Sequence, residues 1–484
     1  MTEALLTGLL FLLAAAVTAR VRSAKLRTGV LALISWCFYL SWGSWFLGIL
    51  LFSTAGNYLF GLWLRKSLAR SALLAGVSFN LALLGAFKYL PPIGTRLPFS
   101  SLQVFSHIAL PLGISFWTFQ AMSYLFDLYR EEELDPSFLE FALYMAFFPV
   151  VISGPICRLP DMLPQFRSDR LTKWNDFGRG LGRIATGVLM MQLAKLLGQG
   201  ILSGDGINGG FDRVAHWGGA DVWCLAFGYG LQLFFDFAGY SHIAIGAAQA
   251  LGIAVPENFA RPFASTTPSV FWTRWHMSLS FWIRDYLFLP MAVMRREMWW
   301  RNLMLVVSMV AFGVWHKASI LFVLWGCYHG LLLVLHRQVQ QLERRFDWNP
   351  PEKAWGVASW IVTITFISLG WILFRANSTA QASEMFLAVV SPASYAVRYL
   401  SGSLYLLVGA LAVGYGLVLL AVEAIEGYAA EPGVEPKSGN AVVGLIARSR
   451  WYWVPALYAL LLLFVWMVTS TQSGGVGQLM YRQF

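Results

Sequence analysis

Two of the seven histidines in this 484-residue chain stand where side-chain chemistry is plausible. His316 lies between two apolar runs, 303–314 and 320–335, in the string Val314-Trp-His-Lys-Ala-Ser319. An imidazole is suited to act as a general base near neutral pH. Aromatic neighbours such as Trp315 would keep water away from it. The same local pattern also fits a histidine in a short connection between helices. His276 sits in Phe271-Trp-Thr-Arg-Trp-His-Met-Ser-Leu-Ser-Phe-Trp282. Trp272, Trp275, Leu279 and Trp282 recur at helical spacing and predict an aromatic stripe, with Ser280 one turn beyond His276. An interfacial amphipathic helix with Trp anchors and snorkelling arginines accounts for that stripe. It does not account for a histidine between Trp275 and Met277.

Further polar groups cluster nearby. Asp236 and His242 interrupt the apolar run Leu231 to His242, and Tyr328-His329-Gly330 follows Trp325. Ionisable residues inside membrane segments are costly and mark function by default. Asp236, Trp275, Ser280, Trp315, Ser319, Tyr328 and His329 are candidate substrate-lining residues beside His316 and His276. His336 adjoins Arg337 and reads as interfacial, while His107 and His216 read as loop ends. No HExxH, Cys–His spacing or carboxylate cluster is present, so neither a metal site nor a bound cofactor is expected. P-loop and GxGxxG contexts are missing too. Cys37, Cys157, Cys224 and Cys327 lie far apart in apolar surroundings and read as buried thiols.

The elements that must hold these residues are membrane helices. The chain is 57% apolar and 12% charged, about half the charge of an ordinary soluble domain; its mean hydropathy is +0.59. Long apolar runs exclude a soluble enzyme, a disordered chain and a solenoid, and outer-membrane barrels alternate instead. The net charge of +10 belongs to cytoplasmic loops rather than to nucleic-acid binding. Arg20, Arg22, Lys25 and Arg27 form a first basic loop, and Arg65, Lys66 and Arg70 a second. Both fall on the cytoplasmic side if the N-terminus is outside. Glu3 precedes the first apolar run, the reverse of a signal peptide's charge order. The run lengths predict about 11–13 membrane segments, some re-entrant. Pro, Gly and charge break the segments 107–128, 144–160 and 256–290. Residues 204–219 and 423–450 read as loops and 337–353 as a charged, cytoplasmic or interfacial stretch. A last apolar segment is expected at 453–470.

Several long stretches, in order, resemble the membrane-bound O-acyltransferase family, in particular its bacterial alginate-acetylation branch. They are Leu110-Pro-Leu-Gly-Ile-Ser-Phe-Trp-Thr-Phe-Gln120 with Tyr124 and Asp127, and Phe148-Pro-Val-Val-Ile-Ser-Gly-Pro155. Then come Phe235-Asp-Phe-Ala-Gly-Tyr240, Asn258-Phe-Ala-Arg-Pro262, Phe271 to Tyr286, the Trp315-His-Lys-Ala-Ser319 box, Gly370-Trp-Ile-Leu-Phe-Arg375 and the terminal Tyr481-Arg-Gln-Phe484. The chain departs from that pattern at Lys317, where the branch usually has Gly, and at Arg482, where an aromatic is usual.

The resemblance implies an all-α membrane domain over residues 1–484. It would comprise N-terminal helices to residue 100, a catalytic core over 101–345 and C-terminal helices beyond. Tilted helices would surround a central tunnel. It implies His316 as the catalytic histidine and His276 as the second family histidine. The activity implied is transfer of an acetyl group from a cytoplasmic thioester, acetyl-CoA or another donor, to an exported polysaccharide. The implied setting is the bacterial inner membrane, with a periplasmic acetyltransferase as partner. D-alanyl transfer to teichoic acid and transport of polysaccharide precursors are the competing expectations. Arg274, Arg284 and Asp285 are expected to hold their helix rather than to react.

Overall fold

In the computed structural model the described residues are 2–91, 109–131, 133–201, 205–347 and 351–429. Their regular secondary structure is helical, with one isolated antiparallel bridge, Phe259 to Trp275, in place of strands. The α-helices of five or more residues are, in order, α1 Thr2–Arg20, α2 Ala24–Leu40, α3 Ser44–Ser67, α4 Arg70–Leu84, α5 Ile114–Tyr129, α6 Phe138–Ala146, α7 Leu159–Arg167, α8 Trp174–Gln199 and α9 Ile207–Asp212. They continue with α10 Gly219–Ala250, α11 Pro268–Trp272, α12 Met277–Trp282, α13 Met298–His316, α14 Ile320–Arg345, α15 Glu352–Arg375, α16 Thr379–Val390 and α17 Gly402–Ala429.

Among the described residues, seven helices are long and apolar enough to cross a membrane, among them 44–67, 219–250, 298–316 and 320–345. Leucines such as Leu5, Leu9, Leu59, Leu331 and Leu406 point outward from these and neighbouring helices. A lipid environment suits such a surface where water does not. The protein is thus a multi-pass membrane protein. The expected segment at 453–470 and the terminal Tyr481–Phe484 lie outside the described residues, as does His107.

The contacts divide the chain into two compact units. One comprises Met1–Ile184, Tyr240–Asn258 and His276–Met291; the other comprises Ala185–Gly239, Phe259–Trp275 and Ala292–Phe484.

In the first unit, α3 and α4 are locked by a buried amide pair. Asn57 Nδ2 donates to Asn80 Oδ1 at 3.1 Å, and Asn80 Nδ2 donates back to Asn57 Oδ1 at 2.6 Å. Interhelical side-chain bonds of this kind hold helices together where lipid supplies no hydrophobic drive. Gly113, at φ +75°, lies directly on the Val151 carbonyl; a Cβ there would come within 1.9 Å of that oxygen. Two of the sequence stretches quoted above meet at this point.

In the second unit, α13 and α14 form a hairpin closed by residues 317–319, and small residues set their separation. A Cβ on Gly313 would lie 2.2 Å from the Phe322 carbonyl oxygen. One on Gly326 would lie 2.5 Å from both Met309 O and Val310 Cα, and one on Gly330 would lie 2.8 Å from Val306 Cα. Backbone meets backbone here, and only glycine leaves the room.

Several sequence expectations are corrected. The first basic loop is only residues 21–23, because α2 begins at Ala24. Arg27 is buried within α2, where its guanidinium donates to the carbonyls of Ser168 and Arg170. Residues 204–219 contain the short helix α9, and α17 runs to Ala429, into the expected 423–450 linker. Cys37 is exposed and Cys327 half-buried, whereas Cys157 and Cys224 are buried; all four are free thiols. Cys37 projects from the outward face of α2, which an apolar sequence context cannot distinguish from an inward one.

The hairpin geometry predicts a contrast between two glycines. Gly326→Ala should lower the thermal unfolding midpoint in detergent, with an overpacking cost of about 1–3 kcal/mol. Gly409→Ala, on α17 with no atom within 4 Å of the added Cβ, should leave the midpoint unchanged or raise it.

Candidate active site

His316 is the last residue of α13 and is 6% exposed. The helix stops there because Lys317 turns extended, its amide still donating to Gly313 O at 3.2 Å. Ser319 occupies the N-cap position of α14, and its carbonyl accepts from Phe322 and Val323. Lys317 is exposed, unlike the buried His316 before it.

Aromatic rings enclose the His316 imidazole. Phe312 stacks on it at 5.3 Å between centroids, Trp315 lies edge-on at 4.7 Å and Phe374 of α15 edge-on at 5.2 Å, with Trp325 at 6.0 Å and Phe322 at 6.2 Å. Phe374 is followed by Arg375, which grips both carboxylate oxygens of Asp212 at 2.8 and 2.9 Å. That ion pair, in which one guanidinium nitrogen reaches both oxygens, ties the end of α15 to α9.

The same wall continues to His329, which is fully buried. Trp325 lies at 4.8 Å from it, Trp272 at 5.2 Å and Tyr328 at 5.3 Å. Both ring nitrogens of His329 are without a hydrogen-bond partner, as are the indole nitrogens of Trp272, Trp325 and Trp371. Buried polar atoms are normally paired, so such a group needs a reason. Tyr328 has a separate role: its hydroxyl donates to Phe366 O at 2.7 Å and pins α14 to α15. Trp275 packs on Trp371 at 5.0 Å and stacks on Phe271 at 5.4 Å. Asp236 is buried on α10.

His276 belongs to the first unit and is 1% exposed. The expected continuous helix over 272–282 does not form. The backbone leaves α11 at Trp272 and re-enters α12 at Met277, with His276 as N-cap in the left-handed region at φ +44°. Only the local relation survives: the Ser280 amide donates to the His276 carbonyl at 2.9 Å. A left-handed conformation costs a non-glycine residue roughly 1–2 kcal/mol and persists only where surroundings fix it.

Those surroundings are polar and buried. The Met277 amide donates to Asn258 O at 2.9 Å, and Ser278 Oγ donates to Asn258 Oδ1 at 2.6 Å. Asn258 Nδ2 donates to Ser241 Oγ at 3.1 Å, and the Ile156 amide donates to Ser278 Oγ at 3.0 Å. Phe116 stacks over the imidazole at 6.5 Å. Further along, Trp282 Nε1 donates to Phe119 O at 3.0 Å and Tyr286 Oη donates to Asp127 Oδ1 at 2.7 Å.

Asp285 receives Arg158 at 2.7 Å and Arg284 at 2.6 Å, while Arg130 donates to its carbonyl at 2.7 Å. Arg274 reaches the Ala264 carbonyl at 3.4 Å. These charged groups are occupied in holding the backbone. Asn258, Ser278, Phe374 and Trp371 were not singled out as site residues from sequence. All four stand in the family-like stretches, but for Asn258, Phe374 and Trp371 the spacing to either histidine is long-range. Among the described residues no group of three His, Cys, Asp or Glu side chains is placed to hold a metal ion.

The family profile of the membrane-bound O-acyltransferases matches residues 95–374. The probable alginate O-acetylase AlgI of Azotobacter vinelandii is 31% identical, with 95% of each chain covered. The peptidoglycan O-acetyltransferase of Helicobacter pylori is 30% identical over 77% of this chain and 75% of its own. The teichoic acid D-alanyltransferase of Bacillus subtilis is 31% identical over 54% of this chain and 68% of its own. A family profile that matches more than half of the chain, together with a relative 31% identical over 95% of it, places the protein in the membrane-bound O-acyltransferase family.

Proposed function

We propose that this protein moves an acetyl group from a cytoplasmic thioester to a hydroxyl acceptor, for O-acetylation of an exported polysaccharide. The observation that carries the reading is His316. It is buried at the end of α13 inside an aromatic wall, in a chain similar over 95% of its length to an alginate O-acetylase. The similarity to the D-alanyltransferase covers 54% of the chain, which favours acetyl over D-alanyl transfer. The donor is taken to be acetyl-CoA. The setting is a bacterial inner membrane with the N-terminus on the periplasmic side. A periplasmic acetyltransferase is the expected partner that passes the group on.

In the proposed mechanism, the acceptor hydroxyl loses its proton to the neutral His316 imidazole as its oxygen attacks the thioester carbonyl carbon. The carbon–sulfur bond then breaks, and the imidazolium returns the proton to the departing thiolate. The new bond is an oxygen ester, and no oxidant or metal is needed. The surrounding rings of Phe312, Trp315 and Phe374 keep water from competing with the hydroxyl. His276 is assigned the role of polarising a reactant, as a donor to the developing oxyanion.

His316→Gln should lower transfer from radiolabelled acetyl-CoA by about 10²–10⁴-fold, the usual contribution of a positioned base. Its unfolding midpoint should stay close to that of the wild type. Normal transfer by a folded His316→Gln protein would remove His316 from the mechanism. Turnover that stays absent in wild type after adding acyl carrier proteins and periplasmic partners would favour transport instead.

His276 calls for a different substitution because of its backbone. Asn tolerates the left-handed region, whereas Ala does not. His276→Asn should keep the fold and lose about 10²–10³-fold in kcat if the imidazole donates to the oxyanion. His276→Ala should lower both kcat and the unfolding midpoint. Equal kcat in His276→Asn and wild type would leave this histidine a purely structural role.

A further inference from the structure

A cavity of about 260 Å³ opens in the first unit, at the junction of α1 and α2 with the segment after α7. Its polar lining includes Thr18, Arg27, Thr28, Ser168 and Arg170, and it includes no carboxylate side chain. Arg27 is 6% exposed. Its guanidinium donates to the carbonyls of Ser168 and Arg170, the latter at 3.1 Å. Among the described residues no Asp or Glu pairs with it.

A guanidinium carries five N–H donors. Two carbonyls leave donors to spare and leave the charge itself without a counter-ion. Burying a cation in that condition is costly unless an anion completes the site.

Arg170 brings a second guanidinium to the same wall. Its own carboxylate partner, Asp176 at 2.9 Å, lines an adjoining cavity of about 270 Å³ that shares Arg170, Gly252 and Ile253. In that neighbour Arg183 is likewise matched by Glu257. Of these two cavities, the first is the one with an arginine, Arg27, that has no carboxylate partner among the described residues. Arg20, Arg22 and Lys25, all exposed at the α1–α2 junction, add positive charge.

We propose that this cavity binds a phosphoryl group, held by Arg27 and Arg170. Planar guanidinium forks match the oxygens of a tetrahedral oxyanion, and phosphate offers enough acceptors to use the donors left free. The phosphoryl group can come from the headgroup of an anionic phospholipid or from a phosphorylated coenzyme. Neither source depends on the catalytic assignment of His316.

The test uses the full chain, delipidated in neutral detergent. Thermal unfolding is followed while pyrophosphate, phosphatidylglycerol or coenzyme A is titrated in, against diacylglycerol and against sodium chloride at matched ionic strength. A saturable rise in the unfolding midpoint is expected with a phosphorylated probe and not with the controls. A rise with phosphatidylglycerol alone identifies a lipid site; a rise with coenzyme A but not with the lipid identifies a coenzyme site. Arg27→Lys keeps the charge and loses the fork; Arg170→Gln alters a largely exposed side chain. Each should weaken the response about tenfold, a difference of about 1.4 kcal/mol. Should Arg27→Lys fail to fold, Arg170→Gln decides alone. No rise with any phosphorylated probe, or the same rise in both variants, overturns the proposal.

Discussion

The close approach of two helix backbones in the α13–α14 hairpin is the constraint on which the His316 environment rests. Gly313, Gly326 and Gly330 remove the side chains that would hold the helices apart. Within lipid, apolar side chains gain little by leaving the acyl chains, so helix association relies on packing and hydrogen bonds. The glycine contacts supply the packing, and the Tyr328 hydroxyl on Phe366 O supplies a hydrogen bond to α15. With the three helices fixed, Phe312, Phe322, Trp325 and Phe374 arrive around one imidazole from three different helices. A loop could carry His316 but could not hold so many rings against it.

The His276 segment is fixed by the opposite means. Its helix is interrupted, and the freed backbone groups are taken up by Asn258 and its neighbours rather than by the next turn. Broken helices at membrane depth require such internal partners. The left-handed His276 backbone stands at this interruption, immediately before Met277, whose amide donates to Asn258 O. The same economy explains the arginines. Arg158 and Arg284 converge on the Asp285 carboxylate, and Arg130 on its carbonyl, so the guanidiniums that anchor the segment gather on one residue.

Hydropathy and charge made the membrane architecture legible, because the bilayer allows few alternatives to an apolar helix. The break between two apolar runs also marked the position of His316. Periodicity failed at 272–282 because helical spacing assumes an unbroken backbone. Here the Ala260 amide bonds to Arg274 O at 3.0 Å, a contact no local pattern announces. Arg27 was read as a loop charge for a similar reason. Its carbonyl partners lie about 140 residues further along the chain. Trp371 and Phe374 stood in a quoted motif, yet their place beside the histidines depends on how α15 lies against α14. Ring-to-ring contacts across such distances leave no spacing to count.

The polar atoms left unpaired in the second unit bear on why this wall is aromatic rather than aliphatic. Leucine and isoleucine would exclude water equally well and would strand no donors. Instead His329 and the indoles of Trp272, Trp325 and Trp371 bury five nitrogens without partners, each of which carries a desolvation cost. Their edge-to-face arrangement recovers part of that cost, because an indole or imidazole edge is attracted to a neighbouring ring face. Trp272 meets His329 at 89° and Trp325 meets His316 at 88°. Aliphatic side chains have no such directional preference and would let the imidazole rotate. On the proposed mechanism orientation matters as much as dryness, since a base must present its lone pair along the line of the departing proton. The aromatic wall supplies both.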